Sequence, residues 1–175
     1  MKNSEHFRYR MWKQSDAWSL YRLSQDKGLA FSCDWKPHGS PMQSREMIVG
    51  KLQNSLCRMI LNMEGEPVGS VEIRLPDREI TLWLASRCAG KEACREILQS
   101  AVSFAAEEMN LDALWIGVDE NSQSLRKLLE ACGFQAHHWT LREDADKQEF
   151  RRTILFKKSW TDAEVSCSIN KPQVG

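Results

Sequence analysis

Of the side chains in this 175-residue chain that can do chemistry, the six cysteines set the first bound. Cys33, Cys57, Cys88, Cys94, Cys132 and Cys167 form no C-x-x-C pair, and the opening Met1-Lys2-Asn3-Ser4-Glu5-His6 has no apolar core of a secretion signal. Reduced thiols and a cytoplasmic location are therefore expected. His137 and His138 are adjacent, so on a strand they face opposite sides and do not share a metal; no metal site is expected. Glu72 and Glu79 fall on strand patterns, where a carboxylate can take a proton from a reacting group or simply face water. Arg87-Cys88-Ala89-Gly90-Lys91 stands between a strand and a long helix. Free N–H groups at such a helix head attract anions, though a plain connector reads the same way. Asn121, Ser122 and Ser124 open the following helix, where the first two can cap it.

These residues depend on the elements around them. Asn121 to Phe134 reads as a capped amphipathic helix ending in Gly-Phe, with Leu125, Leu128, Leu129 and Cys132 at i, i+3, i+4 and i+7. Phe7 to Trp12 alternates as a half-buried strand, and Ser15 or Asp16 caps a helix to about Lys27, with Gly28 as its stop. A loop from Cys33 to Pro41 precedes a second helix that ends before Ser55. Leu56–Met63, Val68–Leu75 and Glu79–Ala85 form a meander, with Ile80, Leu82 and Leu84 on one face. Gly90–Met109 is the longest helix, and Ala113–Val118 reads as a strand covered on both faces. Phe134–Leu141 and Phe150–Trp160 close the pattern around an acidic loop, Glu143–Asp146. Residues 161–175 are polar and predict a disordered tail after a single domain, 1–160.

The resulting order, β-α-α-β-β-β-α-β-α-β-β, predicts an α/β (α+β) mixed sheet with helices on both faces. Together with the strand–Gly–helix unit and the Asn121–Phe134 helix, it resembles the GNAT N-acetyltransferases over about residues 7–160. The resemblance implies acetyl-CoA as co-substrate, with no metal, and direct attack of an amine on the bound thioester in a ternary complex. The family's pyrophosphate loop, Q/R-x-x-G-x-G/A, admits two alignments. Either Arg87 opens it and Glu92 replaces the last Gly/Ala, or Gly90 closes it and Cys88 replaces the first glycine.

By that resemblance Leu84, Ala85, Arg87, Cys88, Ala89, Gly90, Lys91, Asn121 and Ser124 bind the cofactor. The Trp83-Leu84-Ala85 strand end pairs with the pantetheine amides, and one of its N–H groups polarises the thioester carbonyl. Leu129 stands where the family often carries a tyrosine acid, so Ser124 is assigned to protonate the thiolate. Glu79 is the assigned base, with Glu72 as the other candidate. Trp83 lines the acceptor pocket. The Trp35-Lys36-Pro37 loop is similar to the ribosomal-protein and small-amine branch, which gives Trp35 a substrate role. A non-catalytic GNAT-fold binding or regulatory protein is the alternative.

Lys+Arg equals Asp+Glu, at 24 each, so the chain as a whole shows no electrostatic footprint for nucleic acid or an anionic membrane. No apolar run approaches the roughly 18 residues of a membrane span. The expected partner is an amine acceptor, a peptide N-terminus or small molecule, and the chain is read as a monomer or homodimer.

Overall fold

Seven strands join into one sheet in the order β1-β2-β3-β4-β5-β7-β6. The structure is a computed structural model and describes residues 1–26, 36–75, 77–88, 90–144 and 149–160. Its elements are β1 (Arg8–Arg10), α1 (Ala17–Ser24), α2 (Pro41–Met47), β2 (Cys57–Leu61), β3 (Pro67–Arg74), β4 (Glu79–Leu84), α3 (Lys91–Glu107), β5 (Ala113–Asp119), α4 (Gln123–Ala131), β6 (Gln135–Asp144) and β7 (Glu149–Ser159). Short helical turns sit at Gln14–Asp16, Ile48–Leu52 and Ser86–Cys88. The order is the one read from the sequence. Trp35, Ala89, the Lys27–Gly28 stop of the first helix, much of the acidic loop and the 161–175 tail lie outside the described residues.

Alternation along the strands divides the core into two layers. Ile80, Leu82 and Leu84 of β4 and Leu114, Ile116 and Val118 of β5 are buried against α3 and α4. The opposite face of β4 places Trp83 beside Trp12, with ring centroids 6.0 Å apart, in a second cluster with Leu20 and Ile48. Burying each such side chain contributes about 1.5–3 kcal/mol. The long helix α3 is held by Ile97, Leu98, Ala101, Phe104 and Ala105, a stripe at helical period.

Local chemistry sets the element ends. Ser40 Oγ accepts from the Gln43 N–H at 3.2 Å, with Pro41 in the first turn of α2. Gly133 takes a φ of 81°, and the Phe134 N–H reaches back to the Leu129 carbonyl at 2.9 Å, closing α4 as the Gly-Phe ending predicts.

One expectation fails on a backbone irregularity. The β6–β7 register slips between Ala136 and His138, so His137 and His138 do not take opposite faces. Both rings lie edge-on to Trp115, at 5.0 and 5.7 Å, with their Nδ1 atoms 2.9 Å apart. Among the described residues, no helix is long and apolar enough to cross a membrane, and no group of three or more candidate ligands gathers for a metal.

Candidate active site

β4 and β5 run parallel and share one registered pair, Glu79–Trp115. The Trp115 N–H donates to the Arg78 carbonyl at 2.9 Å. Arg78 itself is left-handed, with a φ of 54°, and ion-pairs with Asp112, which pins the base of the junction. Among the described residues no further pair joins the two strands, so they diverge toward Leu84 and Asp119.

The antiparallel ladder with β3 decides which backbone groups face this opening. Ala85 donates its N–H to Val68 at 2.8 Å, and Trp83 pairs with Ser70. Because the ladder alternates, Leu82 and Leu84 turn their backbone groups toward β5, while Gly117 and Asp119 face them from the other side. Leu84 therefore turns its N–H into the opening, and Ala85 does not, since its donor is taken by β3.

Two helix heads open beside the gap. Gly90 is the N-cap of α3 at φ −72° and ψ 157° and makes no side-chain cap. The first helical bond runs from the Cys94 N–H to the Gly90 carbonyl, which leaves the N–H groups of Lys91, Glu92 and Ala93 without intrahelical partners. A side chain at Gly90 would meet nothing within 4 Å. At α4 the expected cap is not made by Asn121 or by the Ser122 side chain. Instead Asp119 accepts from both, with Oδ1 on the Asn121 N–H at 2.8 Å and its carbonyl on the Ser122 N–H at 3.0 Å. An open pocket of about 530 Å³ lies between the heads, lined by Lys91, Asn121, Ser122, Gln123, Ser124 and Lys127. The fold thus brings Lys91 together with Asn121 and Ser124, which follow it by thirty or more positions in the chain.

Other assigned residues lie elsewhere. The Cys88 N–H is committed to the Ala85 carbonyl at 2.8 Å, so it does not point into this pocket. Arg87 lies 3.8 Å from Glu66 and helps line a separate pocket with Arg22 and Asp26. Asp26 ties that side to the loop by accepting from the Ser86 N–H at 2.7 Å. Trp83 is 4% exposed and packs into the core, so it stiffens β4 from behind. Glu72 accepts from Asn54.

Glu79 is buried at the closed end of the gap, about 16 Å along the strand from Leu84 at roughly 3.3 Å per residue. Its Oε2 accepts from Nη2 of Arg74 and Nη2 of Arg142, each at 2.8 Å. It is not brought to the helix heads.

Burial pushes the thiols up, Cys57 to about 11 and Cys94 to about 12, and it also raises Cys88 and Cys132. These thiols stay protonated near neutral pH and make poor nucleophiles. Sequence reasoning missed Lys127, Gly117 and Arg142. Lys127 was legible, three residues after Ser124 on one helix face. Arg142 was not, because it acts across three strands.

The family model described as Acetyltransferase (GNAT) domain matches residues 6–135. No curated protein matches the chain in sequence. Among solved structures, an acetyltransferase of the GNAT family from Bacillus anthracis superposes with a TM-score of 0.74 at 12% identity, covering 90% of this chain and 96% of that one. A putative ribosomal-protein-serine acetyltransferase from Vibrio cholerae gives 0.72 at 18% identity, covering 90% and 95%. A chimera of the spermidine N-acetyltransferase SpeG from Vibrio cholerae and hSSAT gives 0.70 at 17% identity, covering 95% and 100%. At these identities the superpositions show a shared fold.

Proposed function

Because the chain belongs to the GNAT acetyltransferase family, we propose that it transfers the acetyl group of acetyl-CoA to a primary amine, on a peptide N-terminus or a small molecule. The observation that carries this reading is the opening between β4 and β5, with the heads of α3 and α4 meeting in one pocket beside it. Lys91, Glu92 and Ala93 offer N–H groups to a pyrophosphate, and Lys91 and Lys127 add charge. Asn121 and Ser124 offer polar contacts to the pantetheine arm. Leu84 presents its backbone to the acyl carbonyl, where an N–H stabilises the oxyanion as charge develops.

The amine attacks directly, so no protein nucleophile is required, in line with the protonated thiols. The bond from carbonyl carbon to nitrogen forms as the thioester bond breaks, and the thiolate leaves. Its proton affinity is near that of a free thiol, roughly 8.5, so Ser124 or water can return the proton. Glu79, about 16 Å along β4 from Leu84 and held by Arg74 and Arg142, is out of reach of an amine at that carbonyl, so the amine's proton passes to water. The unpaired cysteines among the described residues fit a cytoplasmic setting.

Calorimetric titration with acetyl-CoA tests the reading. Micromolar binding is expected. No binding at millimolar cofactor would leave a GNAT-fold protein that binds a partner without catalysing transfer, the outcome favoured by Glu92 in the first turn of α3.

A further inference from the structure

We propose that Arg74 and Arg142, held together by the buried Glu79, form an anion-reading clamp on the acceptor side of the gap. The preferred acceptor is then an amine that also carries a carboxylate or phosphate, and not a polyamine. What reacts rests on the acetyl-transfer reading; what binds rests on separate observations.

The first concerns the face. Leu82, Leu84, Ile116 and Val118 bury toward α3 and α4. Thr81, Gly117 and Asp119 therefore face the other way, as do Glu79 and the arginines that meet it. The second is exposure. Glu79 is 6% exposed, while the side chains of Arg74 and Arg142 are 45% and 39% exposed. One carboxylate cannot neutralise two guanidiniums, so this cluster carries net positive charge to the surface. Each guanidinium commits one nitrogen to Glu79, out of a planar fork with five N–H donors suited to carboxylate and phosphate.

The third observation is the lane that Arg142 crosses. It reaches from β6 over β7 and β5 to β4, and Gly117 makes this possible. A Cβ at Gly117 would stand 3.1 Å from Glu79 Oε1 and 3.2 Å from Arg142 Cζ. A buried carboxylate is already paired by its cross-strand neighbour Arg74. The long reach of Arg142 adds a second guanidinium at the floor of the opening. Among the described side chains of this face, Asp119 accepts from the Asn121 N–H and Glu72 from Asn54.

Position sets the length of the acceptor. Gly117 lies two residues beyond the registered pair, level with Thr81, and Leu84 lies three residues further along β4, about 10 Å. An amine at Leu84 with an anionic group at Arg142 spans roughly the first few residues of an acidic peptide. A polyamine would place a second ammonium against the two guanidiniums, which repel it.

The test uses tripeptides with N-terminal serine followed by two aspartates, two glutamines or two lysines, a phosphoserine version of the first, and spermidine. Calorimetry with and without acetyl-CoA reads affinity, and CoA release reads turnover. The wild-type protein should bind the acidic peptide about 10- to 100-fold more tightly than the neutral one, the worth of one or two charge-assisted hydrogen bonds. Arg142→Gln should remove that preference through KM while leaving acetyl-CoA affinity unchanged, and Arg142→Lys should restore part of it. Arg74→Gln is the second variant should Arg142→Gln fold poorly. Better binding of the phosphoserine peptide would identify phosphate as the anion read. Equal affinity for the three peptides, a preference for spermidine, or an unchanged preference in both variants would overturn the clamp. The two readings fail separately. A protein that acetylates spermidine best keeps acetyl transfer and loses the clamp. A protein that ignores acetyl-CoA yet prefers acidic peptides through Arg142 keeps the clamp and loses acetyl transfer.

Discussion

Replacing Gly90 with aspartate should move stability and cofactor affinity in opposite directions. Gly90 caps α3 without a side-chain bond, at φ −72°, a backbone conformation open to any residue, and the space beyond its Cα is empty to 4 Å. An aspartate there strains nothing and can accept from the orphan N–H groups of Glu92 or Ala93, next to the positive end of a 17-residue helix. Caps and helix-dipole complementarity each contribute about 0.5–1 kcal/mol, less some repulsion from Glu92. For a chain of this size the melting temperature should rise by about 2–4 °C per kcal/mol. The same carboxylate occupies the donors proposed for pyrophosphate and stands some 5 Å from it. Like charges at that distance repel by about 1–3 kcal/mol at effective dielectric constants of 80 to 20, or roughly 5- to 150-fold in affinity. Thermal melts and acetyl-CoA calorimetry on Gly90→Asp, beside Gly90→Ala, measure both signs. A stabilised variant that binds acetyl-CoA as well as wild type would refute pyrophosphate binding at the α3 head. A variant that is not stabilised would refute the account of the uncapped helix.

Ser124→Ala should slow turnover about 10²-fold, the low end of general acid–base assistance, while acetyl-CoA affinity falls by no more than one hydrogen bond, about 0.5–1.5 kcal/mol, and melting temperature stays nearly unchanged; single-turnover kinetics measure it, and a wild-type rate removes the hydroxyl from the mechanism. Gly117→Val should destabilise by about 1–3 kcal/mol through overpacking, because even its Cβ would meet Thr153 Cγ2 at 3.0 Å, Glu79 and Arg142; urea denaturation reads the loss, and an unchanged midpoint would deny the close approach. His38 is buried with Nδ1 2.7 Å from Ser44 Oγ, and burial lowers its affinity for a proton below that of free imidazole. Its stabilising effect should be complete above the unfolded value, roughly pH 6.5, and lost as pH falls through the lowered folded value. Denaturation at about pH 7.5 and 5.5 should show a drop that His38→Asn reduces, and parallel pH curves would clear His38.

Much of the fold could be read directly, because local patterns and tertiary structure agree. The meander alternation that put Ile80, Leu82 and Leu84 on one face survives because α3 and α4 bury that face. The Gly133-Phe134 ending became a helix stop because only glycine takes φ 81° without penalty. The order of elements then left few topologies, since a crossover helix between neighbouring strands makes them parallel, as β4 and β5 are.

What residue order alone determined was each element's type, the buried faces of β4, β5 and α3, and the free donors at the head of α3, because these depend on neighbours within about one turn or two strand positions. Only the tertiary structure decided which groups meet. The opening of β4 from β5 depends on where pairing stops, and Leu84 rather than Ala85 faces the gap because the β3 ladder fixes the register. His137 and His138 share Trp115 because one bulge shifted a strand by a residue. Glu79 became the holder of two arginines because Arg142, sixty-three positions later, folds back across the bare backbone of Gly117. No local pattern carries such a contact, since its partners are set by strand order and by side chains that only the assembled sheet brings within hydrogen-bonding distance.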